Sequence, residues 1–301
     1  MNDADKIIAS AAKATLSPKE FNSIADKMSP SEVESWLREL VSRGHGSPLE
    51  HSIYVFEVIC SRVCSHQLVR HRHASYSQLS QRYSDKYLKS LIIKVAELVG
   101  VDPAALNEKR VVPQLIRELL KAHNSFETLL SIACEAFIIP PKVLEERDAR
   151  FLARLLEGVA SYYEALDSGL SFEDARYLLP QAVKTRVVVS MNARELVEVF
   201  LPLRMCSRAQ WEIRYVAWSL WKQLIEVHPA IFKYTGPRCV FFENRVRTKP
   251  CALEDFLSKA CTFTIEKCPE GVPRTEIPRC IGNSSESRFE EVLTNSKQLI
   301  A

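Results

Sequence analysis

Val33, Trp36, Leu37, Leu40 and Val41 recur at the three-to-four spacing of an amphipathic helix. Ser29-Pro-Ser-Glu32 before them has the form of a capping box with Pro30 at the first helical position, and Gly44 is a natural stop. Ile53 to Cys60 is β-branched and aromatic and predicts a strand, after which helical spacing resumes to about Arg72. Tyr83 to Ile139 is mainly helical with a turn at Val101-Asp102-Pro103, and a long amphipathic helix is expected from about Lys142 to Leu166. A second cap, Ser171-Phe-Glu-Asp174, starts a short helix that Pro180 should end. Val187, Val188 and Val189 mark a strand over 184–190. Asn192 to Leu203 and Cys206 to Val227 read as two further helices, and rising Cys and Pro content after Pro229 and Pro237 marks a shift in character. The pattern predicts an α+β domain over 1–236 with few strands and many helices, a helical insertion at about 88–145, and a small irregular extension over 237–301.

Composition narrows the possibilities. A chain of 301 residues with 47% hydrophobic content can bury a sizeable core. Forty basic residues stand against 37 acidic ones, a net charge of +3, so no global field marks a nucleic-acid or membrane-surface binder and any anion site must be local. The acidic N-terminus lacks the pattern of a secretory signal. The apolar run Leu91 to Val101 is interrupted by Lys94 and Glu97 and reaches about half of the ~20 residues a membrane span needs. A cytoplasmic protein with no membrane association is expected. Nine cysteines include Cys239, Cys251, Cys261, Cys268 and Cys280 in the last quarter, with no CxxC pair. Free thiols are the default expectation, disulfides and a structural metal remain open, and no metal ligand is assigned.

Candidate chemistry concentrates in Gln67-Leu-Val-Arg70-His71-Arg72-His73-Ala-Ser75-Tyr-Ser77-Gln78-Leu79-Ser80-Gln81-Arg82-Tyr83. At a helix end, Gln67 and Arg70 would share a face while Arg72 points elsewhere, so one element could touch two ligands. The following loop offers hydroxyl, amide and guanidinium donors together, the inventory that a phosphate and a pyrimidine edge require. A nonenzymatic nucleic-acid-binding protein using the Arg70 to Arg82 segment is the alternative, and it requires a wider basic face and steep salt dependence.

Arg70-His71-Arg72, seven residues and then Ser80 resemble the signature of the flavin-dependent thymidylate synthases, the ThyX family. His45-Gly-Ser47-Pro-Leu-Glu50-His51 is similar to that family's H-x-[ST]-P-x-E-H segment. Glu173-Asp-Ala-Arg176, Asn192-Ala-Arg194 and Leu203-Arg204-Met-Cys-Ser-Arg208-Ala-Gln-Trp-Glu-Ile213 follow in the family's order.

The resemblance implies a ThyX-like α+β fold with a small antiparallel or mixed sheet, and methylation of dUMP to dTMP. FAD would be the cofactor, with NADPH and 5,10-methylene-tetrahydrofolate as cosubstrates. It implies FAD contacts at Ser47, Glu50, Arg70, His71, Arg72, Gln78, Asn192, Arg194, Glu198 and Arg208. For dUMP it implies Gln67, Arg70, Gln78, Leu79, Ser80, Gln81, Arg82, Arg204 and, from another subunit of a homotetramer, Arg176. Arg204 would activate the pyrimidine electrostatically and His45 would sit near flavin and folate, with no cysteine nucleophile. Between Asn192 and Arg204 the chain is one residue longer than compact members, so the contact expected at Glu198 could fall on Val199. Arg208 stands where some members have histidine, and Gln78 where many have glutamate.

Overall fold

A computed structural model describes residues 3–102, 106 and 108–285 of the chain. They divide into two compact units, one formed by 3–56, 68–76 and 189–285, the other by 57–67 and 77–188. Three strands, β1 (Ile53–Ser61), β2 (Ala74–Gln78) and β3 (Lys184–Asn192), make one antiparallel sheet in the order β1-β3-β2. In β3 the residues Thr185, Val187, Val189 and Met191 are buried and their neighbours less so, the period-two alternation of a strand packed on one face.

In the first unit the expected capping box is present: Ser29 Oγ accepts from Glu32 N–H at 3.3 Å and Glu32 Oε2 accepts from Ser29 N–H at 3.0 Å. The helix Pro30–Arg43 ends on Gly44 in the left-handed conformation, φ 69°. Ile8, Leu37, Phe200 and Phe232 are fully buried. Gln210 caps the helix Trp211–Val227, accepting from Glu212 and Ile213 N–H at 3.1 and 3.2 Å. Helix Arg238–Val246, beyond the predicted composition shift, buries Cys239, Val240, Glu243 and Asn244. Cys251 and Cys261 form a disulfide with Cα atoms 6.4 Å apart, so the default of free thiols fails for this pair.

The second unit is helical, with Lys86–Val99, Val111–Ala122, Phe126–Ala136 and Ala149–Asp167 around Leu91, Ile116, Leu119, Leu129 and Leu156. The single helix expected over Lys142 to Leu166 is two. Pro141–Glu145 stops, Arg147 adopts φ 53°, and Asp148 restarts the helix by accepting from Phe151 N–H at 3.1 Å. Gly100, φ 74°, ends the first of these helices beside the predicted turn at Val101-Asp102; Pro103 lies outside the described residues, as does 286–301 of the predicted extension.

Two local differences bear on function. The helix after β1 is Arg62–Leu68, so Arg70 lies in the turn that follows it and Arg72 in a bend. The segment expected to be a loop begins as strand β2. The predicted helix from Asn192 has a π-helical stretch, Glu195–Phe200, before an α-turn, Leu201–Arg204.

Candidate active site

The buried centre of the first unit is His71, 5% exposed. Arg204 Nε–H donates to His71 Nε2 at 3.0 Å, which makes that nitrogen the acceptor and places the ring proton on Nδ1. Nδ1–H donates to Glu195 Oε1, also at 3.0 Å, and Glu195 is itself buried. Phe200 meets the imidazole edge-on with centroids 4.9 Å apart. Tyr76 directs its hydroxyl at the Leu68 and His71 carbonyl oxygens, both at 2.8 Å; burial and then the Glu195 charge push this phenol up to about 12. Glu195, His71 and Arg204 thus form one hydrogen-bonded line with its guanidinium at the less buried end. Glu195 was not anticipated, and only the burial of an acid on the π-stretch reveals it.

The loop carrying Arg204 and Arg208 is held from behind. Trp218 Nε1–H donates to the Met205 carbonyl at 3.1 Å, and Arg214 Nη1 donates to the carbonyls of Ser207 and Ala209 at 2.8 and 3.1 Å. Arg208 itself is exposed.

A second node surrounds Arg194. Its Nη1 donates to Glu50 Oε1 at 2.6 Å and its Nε to Glu198 Oε2 at 3.0 Å, and Arg245 Nη2 reaches Glu198 Oε1 at 3.0 Å. The bonds to Glu50 and Glu198 hold the Arg194 guanidinium above its usual range. At the position left open by the longer segment, Glu198 turns inward to this node, whereas Val199 is 37% exposed. Gly46 packs against both: a Cβ there would lie 2.7 Å from Arg194 Nε and from Glu198 Oε1. Ser47 opens the 3-10 turn Ser47–His51, with Pro48 and Leu49 buried beneath and Ser47 and Glu50 exposed. His45 is exposed after the Gly44 cap, its backbone N–H bonded to the Leu40 carbonyl at 3.1 Å. Asn192 Oδ1 accepts from Glu195 N–H at 2.8 Å, and Arg70 and Arg72 are exposed.

The remaining predicted residues fall in the second unit. Gln78 is half-buried, and its Nε2 donates to Ser65 Oγ at 2.9 Å and Thr185 Oγ1 at 3.2 Å. Leu79 N–H donates to the Arg186 carbonyl at 2.8 Å, and Ser80 accepts through Oγ from Arg82 N–H at 3.2 Å, which shapes the turn containing Gln81. Arg82 and Arg176 lie on either side of one carboxylate, Glu173, at 3.2 and 3.9 Å. Gln67 is half-buried at the end of its helix.

This is an α+β protein with guanidinium groups paired to built-in carboxylates and one arginine bonded to a buried histidine. The family model described as "Thymidylate synthase complementing protein" matches residues 1–230. A flavin-dependent thymidylate synthase of Aeropyrum pernix is 44% identical over 291 residues, covering 93% of this chain and 89% of the relative. The enzyme of the same name from Saccharolobus solfataricus is 39% identical over 290 residues, with 94% and 93% covered. Among solved structures, flavin-dependent thymidylate synthase ThyX from Helicobacter pylori, complexed with FAD and dUMP, superposes with a TM-score of 0.53 at 25% identity, covering 77% of this chain and 95% of that one. The chain belongs to the flavin-dependent thymidylate synthase family.

Proposed function

We propose that the chain methylates dUMP to dTMP with FAD as cofactor, NADPH as reductant and 5,10-methylene-tetrahydrofolate as carbon donor, working as a cytoplasmic homotetramer. The observation that carries this reading is the line from Glu195 through His71 to Arg204, set inside a chain of this family.

The residues present fit a flavin dinucleotide. Arg70, Arg72, Arg194 and Arg208 supply charge for a pyrophosphate, Ser47 a hydroxyl, and Gly46 a backbone position where a side chain would collide with the Arg194 node. His71 is too buried for a broad contact with a ligand and acts by positioning Arg204. Bound there, FAD would supply hydride-transfer chemistry between the reduced nicotinamide and the one-carbon unit that the folate donates.

Arg204 places fixed positive charge against the uracil edge, stabilising the anion formed as N3 loses its proton and raising electron density at C5. Its orientation is set before substrate arrives, because both nitrogens of His71 are already committed. Arg82, with Arg176 of another subunit, binds the nucleotide phosphate; within the chain both guanidiniums lie beside Glu173, a carboxylate the phosphate would replace. Gln78, Ser80 and Gln81 offer amide and hydroxyl groups to the sugar and base. Burial pushes the Cys206 thiol up, which disfavours the thiolate and supports a noncovalent route.

Oligomerisation is supported by edge strand β1, where Ile53 and Val55 are 68% and 67% exposed, apolar side chains that a second copy would cover. No helix among the described residues is long and apolar enough to cross a membrane. The nucleic-acid reading finds no support among the relatives, which are named as flavin-dependent thymidylate synthases.

The test is anaerobic reduction of the FAD-loaded protein with NADPH, followed by dUMP and methylene-tetrahydrofolate. Flavin reoxidation with stoichiometric dTMP is expected. A protein that takes up no FAD, or reoxidises without forming dTMP, overturns the reading.

A further inference from the structure

Four cysteines distant from one another in sequence meet in the first unit. Cys206 follows the Arg204 turn, Cys239 lies in the helix Arg238–Val246, Cys268 begins a tight turn, and Cys280 sits on the helix Ile277–Ser285. All four line one cavity of about 20 Å³, walled by Pro237, Val272, Ile277 and Ile281. That is room for one water-sized body, which suits a single ion and excludes a polynuclear cluster.

The backbone is arranged around the sulfurs. Cys268-Pro-Glu-Gly271-Val272 folds back on itself, with Gly271 at φ 80° and its N–H bonded to the Cys268 carbonyl at 2.9 Å, so that Val272 N–H points at Cys268 Sγ from 3.3 Å. The backbone N–H groups of Arg208 and Val240 bond the sulfurs of Cys206 and Cys239, and Ser207 Oγ lies 3.0 Å from Cys280 Sγ. Burial raises the Cys206 and Cys239 thiols despite these donors, so the sulfurs rest protonated and the backbone bonds serve to orient them. Arg214, pinned on the Ser207 and Ala209 carbonyls, adds a guanidinium whose charge is felt by Cys206 and Cys280.

We propose that Cys206, Cys239, Cys268 and Cys280 form a tetrathiolate site for one divalent ion of the zinc class. Four sulfur ligands with no open position make a structural site rather than a catalytic one. It would fasten the segment after 237 to the turn that carries Arg204 and Arg208. As the side chains stand, no three of these sulfurs lie within 4.8 Å of one another, so uptake requires the four to draw together and each ligand proton to be released to solvent. No metal-ligand spacing announces the site in the sequence, because the fold and not the local chain assembles it.

The full chain, purified under reducing conditions, is analysed for bound metal and titrated with Co²⁺ after removal of that metal. About one ion per chain is expected, together with the thiolate-to-cobalt charge transfer and visible bands of a tetrahedral sulfur site. Cys268→Ser and Cys280→Ser should each lose the cobalt signature, whereas Cys134→Ser, buried in the other unit, should keep it. The wild-type titration decides the matter even if a variant misfolds. A wild-type protein without the cobalt bands overturns the proposal, as does mass-spectrometric evidence that these four cysteines are disulfide-bonded to one another in the folded chain.

Discussion

Arg204 gives its Nε–H to His71 Nε2 at 3.0 Å, and this single bond dictates the protonation pattern of a ring buried to 5% exposure. With Nε2 accepting, Nδ1 must donate, and Glu195 receives it at 3.0 Å. The guanidinium is therefore oriented by a buried acid two hydrogen bonds away. Glu195→Ala leaves a buried ring N–H unpaired and frees Arg204 to turn. A loss of about 10- to 100-fold in kcat is expected, the scale seen when groups behind a functional residue are removed, with the KM for dUMP nearly unchanged. Glu195→Gln retains an acceptor and should recover most of the rate. Equal loss in both variants, or a loss confined to KM, would show that Glu195 does not position Arg204.

Removing Arg204 itself tests the electrostatic role. Arg204→Ala should lower dTMP formation by about 10²- to 10³-fold, comparable with deleting one preorganised oxyanion donor. FAD should still bind, because the cations proposed for its pyrophosphate are Arg70, Arg72, Arg194 and Arg208. Flavin content is read from the visible spectrum and product by chromatography. Normal dTMP output from this variant would remove Arg204 from the mechanism.

Gly46 tests the proposed flavin cradle. An alanine there would bring Cβ to 2.7 Å from Arg194 Nε and Glu198 Oε1, which are side-chain atoms able to move, so the fold should survive while the node is displaced. Gly46→Ala is expected to weaken FAD binding by roughly tenfold, a loss of about 1.4 kcal/mol, with little change in far-UV circular dichroism. Unaltered FAD affinity would show that the cradle is not part of the flavin site.

The regular elements of this chain were legible because their signals are local. Ser29 and Glu32 cap one another within a single turn, and Val187, Val188 and Val189 favour a strand wherever they occur. The candidate arginines were legible through motif order. What escaped depends on tertiary contact or on backbone detail. Helical spacing continued past Leu68, but the chain bends there, Tyr76 bonds back to the Leu68 and His71 carbonyls, and β2 begins at Ala74. Arg147 interrupts an otherwise amphipathic run by adopting φ 53°, with Asp148 restarting the helix. Glu195 carries no motif signal of its own; its burial on the π-stretch, bonded to His71, is a tertiary feature.

Glu243 ties the C-terminal segment into the first unit and makes its stability depend on pH. The side chain is fully buried and accepts from Thr264 N–H at 2.9 Å, Ile265 N–H at 3.0 Å, Thr264 Oγ1 at 2.8 Å and Arg247 Nη1 at 2.8 Å. Burial alone would raise its carboxyl, but these donors outweigh it and hold the group below the usual glutamate range. A carboxyl depressed on folding contributes stability that is present above its unfolded value, about 4.3, and lost as pH falls through the folded value. Glu243→Gln removes the charge that Arg247 and the two amides were arranged to meet, at a cost of about 3 kcal/mol at neutral pH. Wild type should therefore melt well above the variant at pH 7, and the gap should narrow steadily below about pH 4 as wild-type Glu243 becomes protonated. Thermal unfolding across this range is the measurement, with limited proteolysis reporting whether 247–265 loosens first. Curves that stay parallel into acid would mean that the carboxylate charge does not hold this segment, leaving packing around Phe256 and Phe263, whose rings stack at 4.4 Å, as its anchor.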